Sequence, residues 1–339
     1  MRVLTFGETS GQAWNMARSV DRHGIEVDVV TAKPHRYNYP SNRVIDNPPS
    51  TLLEKYYKRS IEFRNWLKDY DVINYWFAST LFPGDLDLRI LDKTDTKIII
   101  TFRGSDARIN RIAESKNIYY SRDIQPKSDA KQTKRLRSLS KYADLAVVGY
   151  PELEQYVKPF FEDVVCVPRS IDVEKHNPKY TKNKDSGLTI VHAPSDKNKK
   201  GTNSILNGVE KYTSSRDINF RLLESVENEE LVQVMRNSDI LIDQIRLGTF
   251  GVVSLEAMAN GTPAMAYIHE DYVRKPVTDI PIINTNPDTI TSDIARILSD
   301  EIDLHRIAKA SRKYVEQNHS LSSVGDKWAR VYRGVVDNV

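Results

Sequence analysis

Apolar and polar positions fall along the chain in short alternating blocks, and the blocks predict strands and helices in turn. Arg2 to Phe6 is an apolar run that leads into Gly7, Ser10 and Gly11. An amphipathic helix then reaches His23, Gly24 stops it, and Ile25 to Val30 reads as the next strand. Strand, glycine turn, helix and strand in that order open a doubly wound α/β domain. The GxGxxG spacing of dinucleotide-binding turns is absent. Gly7 and Gly11 therefore read equally as a tight turn beneath a close chain approach and as the lining of an acceptor-side ligand site. Pro34 to Pro49 is a long proline- and asparagine-rich connection and a candidate site loop. A helix from Thr51 to about Lys68 and a strand from Asp71 to Trp76 follow.

Lys97 to Phe102 (KIIITF) is a buried strand whose carboxyl end opens onto Arg103, Gly104, Ser105 and Asp106. Ligands of open α/β sheets collect at such ends, so Arg103, Ser105 and Asp106 are site candidates, with Asp106 equally readable as the N-cap of a following helix. A strand from Asp144 to Val148, a short helix from Pro151 and a strand from Val164 to Val167 complete a first domain over 1–175, and polar His176 to Ser186 reads as a linker. A second domain over 187–320 starts with a strand at Leu188 to His192. It continues through a polar loop (Pro194 to Gly201), a helix from Thr202, a strand at Ile218 to Leu223, a helix at Asn228 to Arg236, and later helices at Pro287 to Leu298 and Ile302 to Gln317. The final helix, in 321–339, carries Trp328 and Tyr332, and packing back across the first domain would bury them.

The densest signal is Asp239 to Ala266, where a buried strand (Ile240 to Ile242) runs into a turn with Gly248, Thr249 and Gly251 and then an apolar helix to about Asn260. Thr249 is expected to cap that helix, leaving the amides of Gly251, Val252 and Val253 facing out where the dipole favours an anion. Glu256 is the one charge in the apolar helix, and a carboxylate among Val253, Leu255, Ala257 and Met258 calls for a polar partner such as sugar hydroxyls. With two lysines, Lys197 and Lys200, on the loop after a parallel strand, the three features together point to a phosphate and ribose site.

Composition narrows the class. The chain has 339 residues, beyond one ordinary core, with 40% hydrophobic and 28% charged residues. A net charge of +3 gives no argument for nucleic acid, but residues 1–170 hold 27 basic and 22 acidic side chains against 22 and 24 in the rest. Lys127 to Lys141 concentrates six of those cations against Asp129. It reads first as a solvated helix face and second as a surface for anionic lipid or polyphosphate. The single Cys166 excludes an internal disulfide and is expected in the core; the absence of a signal-like start or long apolar run leads to a cytoplasmic expectation. No HExxH, paired-ligand, GxSxG or Walker spacing occurs, so no metal, hydrolase or P-loop chemistry is expected. His192, at a strand end, reads as a structural histidine.

Three segments, His192 to Thr202 (HAPSDKNKKGT), Leu223 to Asp243 and Gly248 to Ile268, resemble the retaining GT-B glycosyltransferases of family GT4, and Val167 to Asp172 (VPRSID) resembles the junction of that family. The resemblance implies an α/β GT-B fold of two Rossmann-like domains facing each other across a cleft. The second would hold a UDP- or GDP-linked sugar and the first a glycan, lipid-linked or small-molecule acceptor, with the nucleotide sugar as substrate and no metal or other cofactor. Carried over residue by residue, Lys197 and Lys200 stand at the pyrophosphate and Glu256 at the ribose. Leu223 to Val226 frame the base, and Thr249, Phe250, Gly251 and Val252 meet the donor phosphates and sugar. Two positions depart from the pattern. Gly248 stands where a sugar-binding glutamate is usual, and Arg103 stands where many relatives carry a histidine, a cation there serving to hold developing negative charge. These departures leave open a catalytically weakened nucleotide-sugar-binding subunit, with a GT-B epimerase or hydrolase as the enzyme rival.

Overall fold

Seven runs pair side by side, all parallel, because each is joined to the next by a crossover; the central ones are apolar and buried on both faces, while the two edge strands are short and partly exposed. They are β1 (Arg2–Phe6), β2 (Glu26–Thr31), β3 (Arg43–Val44), β4 (Val72–Trp76), β5 (Lys97–Phe102), β6 (Leu145–Val148) and β7 (Val164–Cys166). Their order is β3-β2-β1-β4-β5-β6-β7, with Val3 opposite both Val27 and Val72, so the winding reverses between β1 and β4. The computed structural model describes residues 1–35, 38–46, 51–180, 187–213, 218–273 and 279–337. Parts of the Pro34 to Pro49 loop (36–37 and 47–49) and of the His176 to Ser186 linker (181–186) lie outside the described residues.

Alternate residues of these strands face opposite layers. Val72, Trp76, Ile99 and Val147 point to one side, where the helices Gln12–Val20 and Leu321–Asp337 cover them. Those two helices cross so closely at Gly325 that a Cβ there would sit 2.1 Å from the Ser19 carbonyl oxygen. Trp328 and Tyr332 are buried in this layer, and Trp76, Trp328 and Tyr332 stack in series at 5.7 and 5.4 Å. Phe6 and Tyr75 point to the other side, where Phe6 meets Trp66 of the helix Leu52–Asp69. That helix starts at a full capping box: the Thr51 hydroxyl accepts from the Glu54 amide while the Glu54 carboxylate accepts from the Thr51 amide.

Five further parallel strands form a second sheet: β8 (Leu188–His192), β9 (Ile218–Leu222), β10 (Ile240–Ile242), β11 (Ala264–Ala266) and β12 (Ile283–Asn284), in the order β12-β11-β10-β8-β9. This winding reverses between β8 and β10. Ile205 and Val209 of the helix Thr202–Thr213 pack with Ile290, Ile294 and Ile297 of the helix Ile290–Leu298 against Ile190, Ile240 and Met265.

The chain divides into two compact units, but not at a single linker. Unit 1 comprises Met1–Ile109, Ser128–Ser170 and Leu321–Val339; unit 2 comprises Asn110–Lys127 and Ile171–Ser320. The segment Asn110–Lys127, expected within the first domain, is tied into unit 2 by Arg246. Its guanidinium donates to the Tyr119 carbonyl at 3.1 Å and the Ser121 hydroxyl at 2.6 Å and pairs with Asp123 at 3.0 Å. The described part of the expected linker is likewise packed. Lys179 donates to the Asn260 carbonyl, and Arg312 donates to the carbonyls of Val173, His176 and Ala259.

Local differences from the expected pattern have simple causes. Lys197–Lys200 is one helical turn rather than loop, started by the Asp196 carboxylate and stopped by Gly201 at φ +75°. Cys166 is half-buried rather than in the core, because β7 is an edge strand. Asp106 is not a helix cap: its carboxylate turns back to accept from the amides of Arg103 and Gly104, and the next helix begins only at Asn110. Among the described residues no helix is long and apolar enough to cross a membrane.

Candidate functional site

The reversal of the second sheet separates the carboxyl ends of β8 and β10, and a crevice for a ligand belongs at such a place. His192, at the end of β8, is fully buried and spans to β10. Its Nδ1 lies 2.8 Å from the Ile242 carbonyl oxygen, which can only accept, so Nδ1 carries the proton and Nε2 accepts from the Thr202 hydroxyl at 2.9 Å. Burial lowers its pKa to about 4, which keeps the ring neutral. It is a strut that ties β8 to β10 and to Thr202.

Immediately past β10, Asp243 and Gln244 organise everything that follows. The Asp243 carboxylate pairs with the Lys200 ammonium and accepts from the Gly251 amide at 2.7 Å and the Ser254 hydroxyl at 2.6 Å. Burial works against its charge, yet Lys200 and those hydrogen bonds hold it below the ordinary carboxylate range. Gln244 accepts from Lys200 at 3.1 Å and donates to the Thr249 carbonyl and hydroxyl. Thr249 is therefore not the expected cap. The helix Val252–Ala259 begins at Gly251, whose own side chain offers nothing, and Asp243 supplies the capping carboxylate from eight residues upstream. Gly251 is required here, because a Cβ would lie 2.7 Å from the Asp243 carboxylate. Its amide is engaged, contrary to expectation, which leaves the amides of Val252 and Val253 at the open first turn.

Gly248 has φ +77°, and a Cβ would meet the Tyr272 ring at 2.8 Å. The volume a longer side chain would enter is already filled by that ring, which packs against His269 at 4.6 Å. Phe250 is buried and meets His319 edge to face, so its ring anchors the turn from behind. Glu256, half-buried on the same helix, accepts from the Asn228 side chain at 3.1 Å. Burial pushes its pKa up to about 7, with the Asn228 hydrogen bond opposing and the Asp243 charge adding. Leu223 donates its amide to the His192 carbonyl as β9 ends, and Lys197 pairs with Glu224 at 3.0 Å, both half exposed. The sequence candidates Lys197, Lys200, Leu223, Thr249, Val252, Val253 and Glu256 thus surround one strand switch, while Val226 lies half-buried in the loop after β9. Asp243 as cap, Ser254 and Asn228 were missed. An acid directly after a buried strand was the available signal for Asp243, since burial there demands a partner.

The candidates of unit 1 have different surroundings. Gly7, at φ +104°, lies where a Cβ would meet the Trp76 carbonyl at 2.9 Å, and Gly11 lies beneath the Tyr39 ring. Both sit at close chain approaches. Arg103 does not face solvent: it is 3% exposed, stacks over Trp76 at 4.1 Å and donates to the Val167 carbonyl at 3.3 Å. Burial and neighbouring Arg169 pull it down to about 9, still a cation at neutral pH. Its guanidinium extends the Trp76–Trp328–Tyr332 stack, so the expected role in holding charge on an acceptor has no geometric basis. Asp106 is buried at the foot of the same turn, and Ser105 is half-buried. A residue that sequence reading passed over, Glu8, follows β1 directly. Its carboxylate accepts from the amides of Ala13 and Trp14 at the start of Gln12–Val20, with burial raising its pKa against those bonds.

Two doubly wound parallel units, the second with cations and a helix start at its strand switch, define a GT-B glycosyltransferase fold. Comparison with known proteins agrees. Residues 11–175 match the model of Glycosyltransferase Family 4, and residues 200–314 match that of Glycosyl transferases group 1. The chain belongs to the GT4-like glycosyltransferases. Sucrose-phosphate synthase from Thermosynechococcus elongatus superimposes with a TM-score of 0.71 at 14% identity, covering 100% of each chain. HepE of Anabaena, in complex with UDP and glucose, gives 0.61 at 11% identity over 98% of this chain and 100% of its own. In sequence, an uncharacterized glycosyltransferase of Methanocaldococcus jannaschii is 27% identical over 111 residues, 32% of this chain, and the chain spans only 28% of that protein.

Proposed function

We propose that unit 2 binds a nucleoside-diphosphate sugar, UDP- or GDP-linked, and that the protein transfers its sugar to a hydroxyl of a glycan, lipid-linked or small-molecule acceptor with retention at the anomeric carbon. The observation that carries this reading is the grouping of Lys200, Asp243, the Val252 and Val253 amides and Glu256 at one strand switch. In this reading Lys197, Lys200 and the two amides stabilise the phosphate. Glu256 and Asn228 hold the ribose hydroxyls, the backbone of Leu223 to Val226 frames the base, and Gly248 to Gly251 border the sugar. The bond from the anomeric carbon to the phosphate oxygen breaks, and negative charge collects where the lysines wait. The acceptor oxygen bonds to the same face as its proton passes to the departing phosphate, so no protein nucleophile is needed. No metal is assigned, the lysines supplying the positive charge. Acceptor contacts fall to the strand ends of unit 1, near Gly7, Gly11, Ser105 and Asp106. The binding of UDP by the Anabaena relative supports the donor class.

A second reading has its own observation: both lysines already carry a carboxylate, Glu224 and Asp243, so their net charge at the phosphate is small. It makes the protein a nucleotide-sugar-binding partner subunit. Incubation with radiolabelled UDP- and GDP-sugars separates the two. Transfer or slow hydrolysis supports the enzyme. Saturable binding without turnover under any acceptor supports the subunit, and no binding of any nucleotide sugar defeats both.

A further inference from the structure

Unit 1 leaves one helical layer with an unusual outer surface. The helices Leu52–Asp69, Leu86–Leu91 and Asp129–Leu139 all serve rightward crossovers from β3 to β6, so they lie on one face of the sheet, opposite Gln12–Val20 and Leu321–Asp337. Contacts agree: Trp66 meets Phe6, Asp87 lies against Tyr75, and Arg135 and Ser138 bind Asp85 just before Leu86. The loop 78–85 joins the three, with Arg59 donating to the Leu81 carbonyl and Arg135 to the Ala78 carbonyl.

An ordinary surface helix is apolar on one stripe only. Leu52–Asp69 buries Phe63 and Trp66 toward the sheet, yet it also exposes Leu52 (73%), Leu53 (84%), Tyr57 (69%), Tyr56 and Ile61 on its solvent side. Leu53, Tyr57 and Ile61, four apart, form a second stripe. Leu86 and Ile90 add two more exposed apolar side chains from the neighbouring helix. The polar part of the layer is cationic: the three helices hold ten basic against five acidic residues, and Arg64, Lys68, Arg89, Lys131, Lys134 and Arg137 are exposed.

We propose that this layer is a docking surface for an anionic lipid membrane, with Leu52, Leu53, Tyr56 and Tyr57 entering the headgroup boundary and the surrounding lysines and arginines facing lipid phosphates. Leucine and tyrosine tips with a basic rim are the chemistry of an interfacial helix. A second copy is the poorer occupant, because a two-fold contact would set the same cationic patch against itself. The proposal is independent of the nucleotide-sugar reading, since all of these residues belong to unit 1 and none is among those assigned to the donor.

The test is sedimentation of the full chain with vesicles of phosphatidylcholine, with and without phosphatidylglycerol. The protein is expected to sediment with the anionic vesicles and to be released progressively by salt. Leu53→Ser with Tyr57→Ser should weaken binding roughly tenfold or more. Replacing Lys131, Lys134 and Arg137 by glutamine should remove much of the salt dependence. All five side chains are exposed or outside the core, so thermal melts should match wild type. Wild-type protein that stays in the supernatant with phosphatidylglycerol overturns the proposal, as does a serine variant that binds like wild type. A concentration-dependent dimer in light scattering, lost in the serine variant and accompanied by no vesicle binding, would assign the layer to a second copy instead.

Discussion

The two sheets reverse at corresponding places, and at each reversal a carboxylate closes the start of a helix, but the two closures differ in kind. In unit 1, Glu8 folds onto amides a few residues ahead of it, and burial raises its pKa. In unit 2, Asp243 reaches the helix from the adjacent strand, and Lys200 holds it ionised. A helix start capped by an acid alone repels a second anion, whereas one capped by an ion pair is locally neutral and keeps its cation at hand. The same local device thus leaves a bare acid at one switch and an ion pair at the other, which under the proposed function would suit hydroxyl groups and a phosphate respectively.

The sharpest way to break that comparison is Lys200→Ala. It strands a buried carboxylate, so stability should fall by about 3–5 kcal/mol, read as a lower denaturation midpoint. Transfer should also fall by about 3 kcal/mol of transition-state stabilisation. Adding Asp243→Asn should restore much of the stability and none of the activity. Equal stability of the single and double variants would remove the ion pair from the account. The pH sign follows from the lowered pKa of Asp243: its contribution is present above the ordinary carboxylate range and lost as pH falls through its folded value. The stability advantage of the parent over Asp243→Asn should therefore shrink as pH falls through the acid range, and a difference that stays constant with pH would remove this carboxylate from the acid-sensitive groups.

Glu256 behaves in the opposite sense. Its pKa of about 7 lies above the unfolded value, so it costs nothing in acid, destabilises the fold increasingly as pH rises from about 4.5 to about 7, and costs a constant amount above that. Glu256→Gln should gain about 1–2 kcal/mol in mild alkali, a range set below the full shift because the side chain is half-buried, and nothing in acid. If the donor reading holds, the same change weakens nucleotide binding. A pH-independent gain would place the carboxylate in a different environment from the one described. Smaller still is Glu8→Ala, a lost cap worth about 1 kcal/mol with nucleotide affinity unchanged. Altered nucleotide affinity in that variant would undo the contrast between the switches. Lys197→Ala, whose pair with Glu224 is half exposed, should move stability by less than about 0.5 kcal/mol.

Much of this fold was legible because parallel strands buried on both faces leave continuous apolar runs, as KIIITF does in β5, and because helices such as Asn228–Arg236 carry their boundaries in sequence. The site was legible as a neighbourhood, from Lys200, Gly251 and Glu256. Its wiring was not. Thr249 looked like the cap because caps are sought next to the helix, whereas Asp243 reaches it from a neighbouring strand end. Arg103 looked like a ligand residue because arginine is seldom buried; the Trp76–Trp328 stack, built from residues more than two hundred positions apart, and the Val167 carbonyl make its burial tolerable. Gly248 read as a lost carboxylate, and the ring that fills its place comes from Tyr272, beyond the next strand.

The strap Asn110–Lys127 has a consequence for how the molecule is made. It leaves the ribosome more than a hundred residues before Arg246, the side chain that fastens it. Unit 1 likewise waits for Leu321–Asp337 to cover its sheet. Neither half can finish during synthesis as a self-contained piece, so the order of emergence favours late, joint completion over the usual succession of domains. Cutting the gene at the apparent midpoint would yield one fragment without its strap and another without its lid helix, and a split protein should regain its fold only when both fragments are present together.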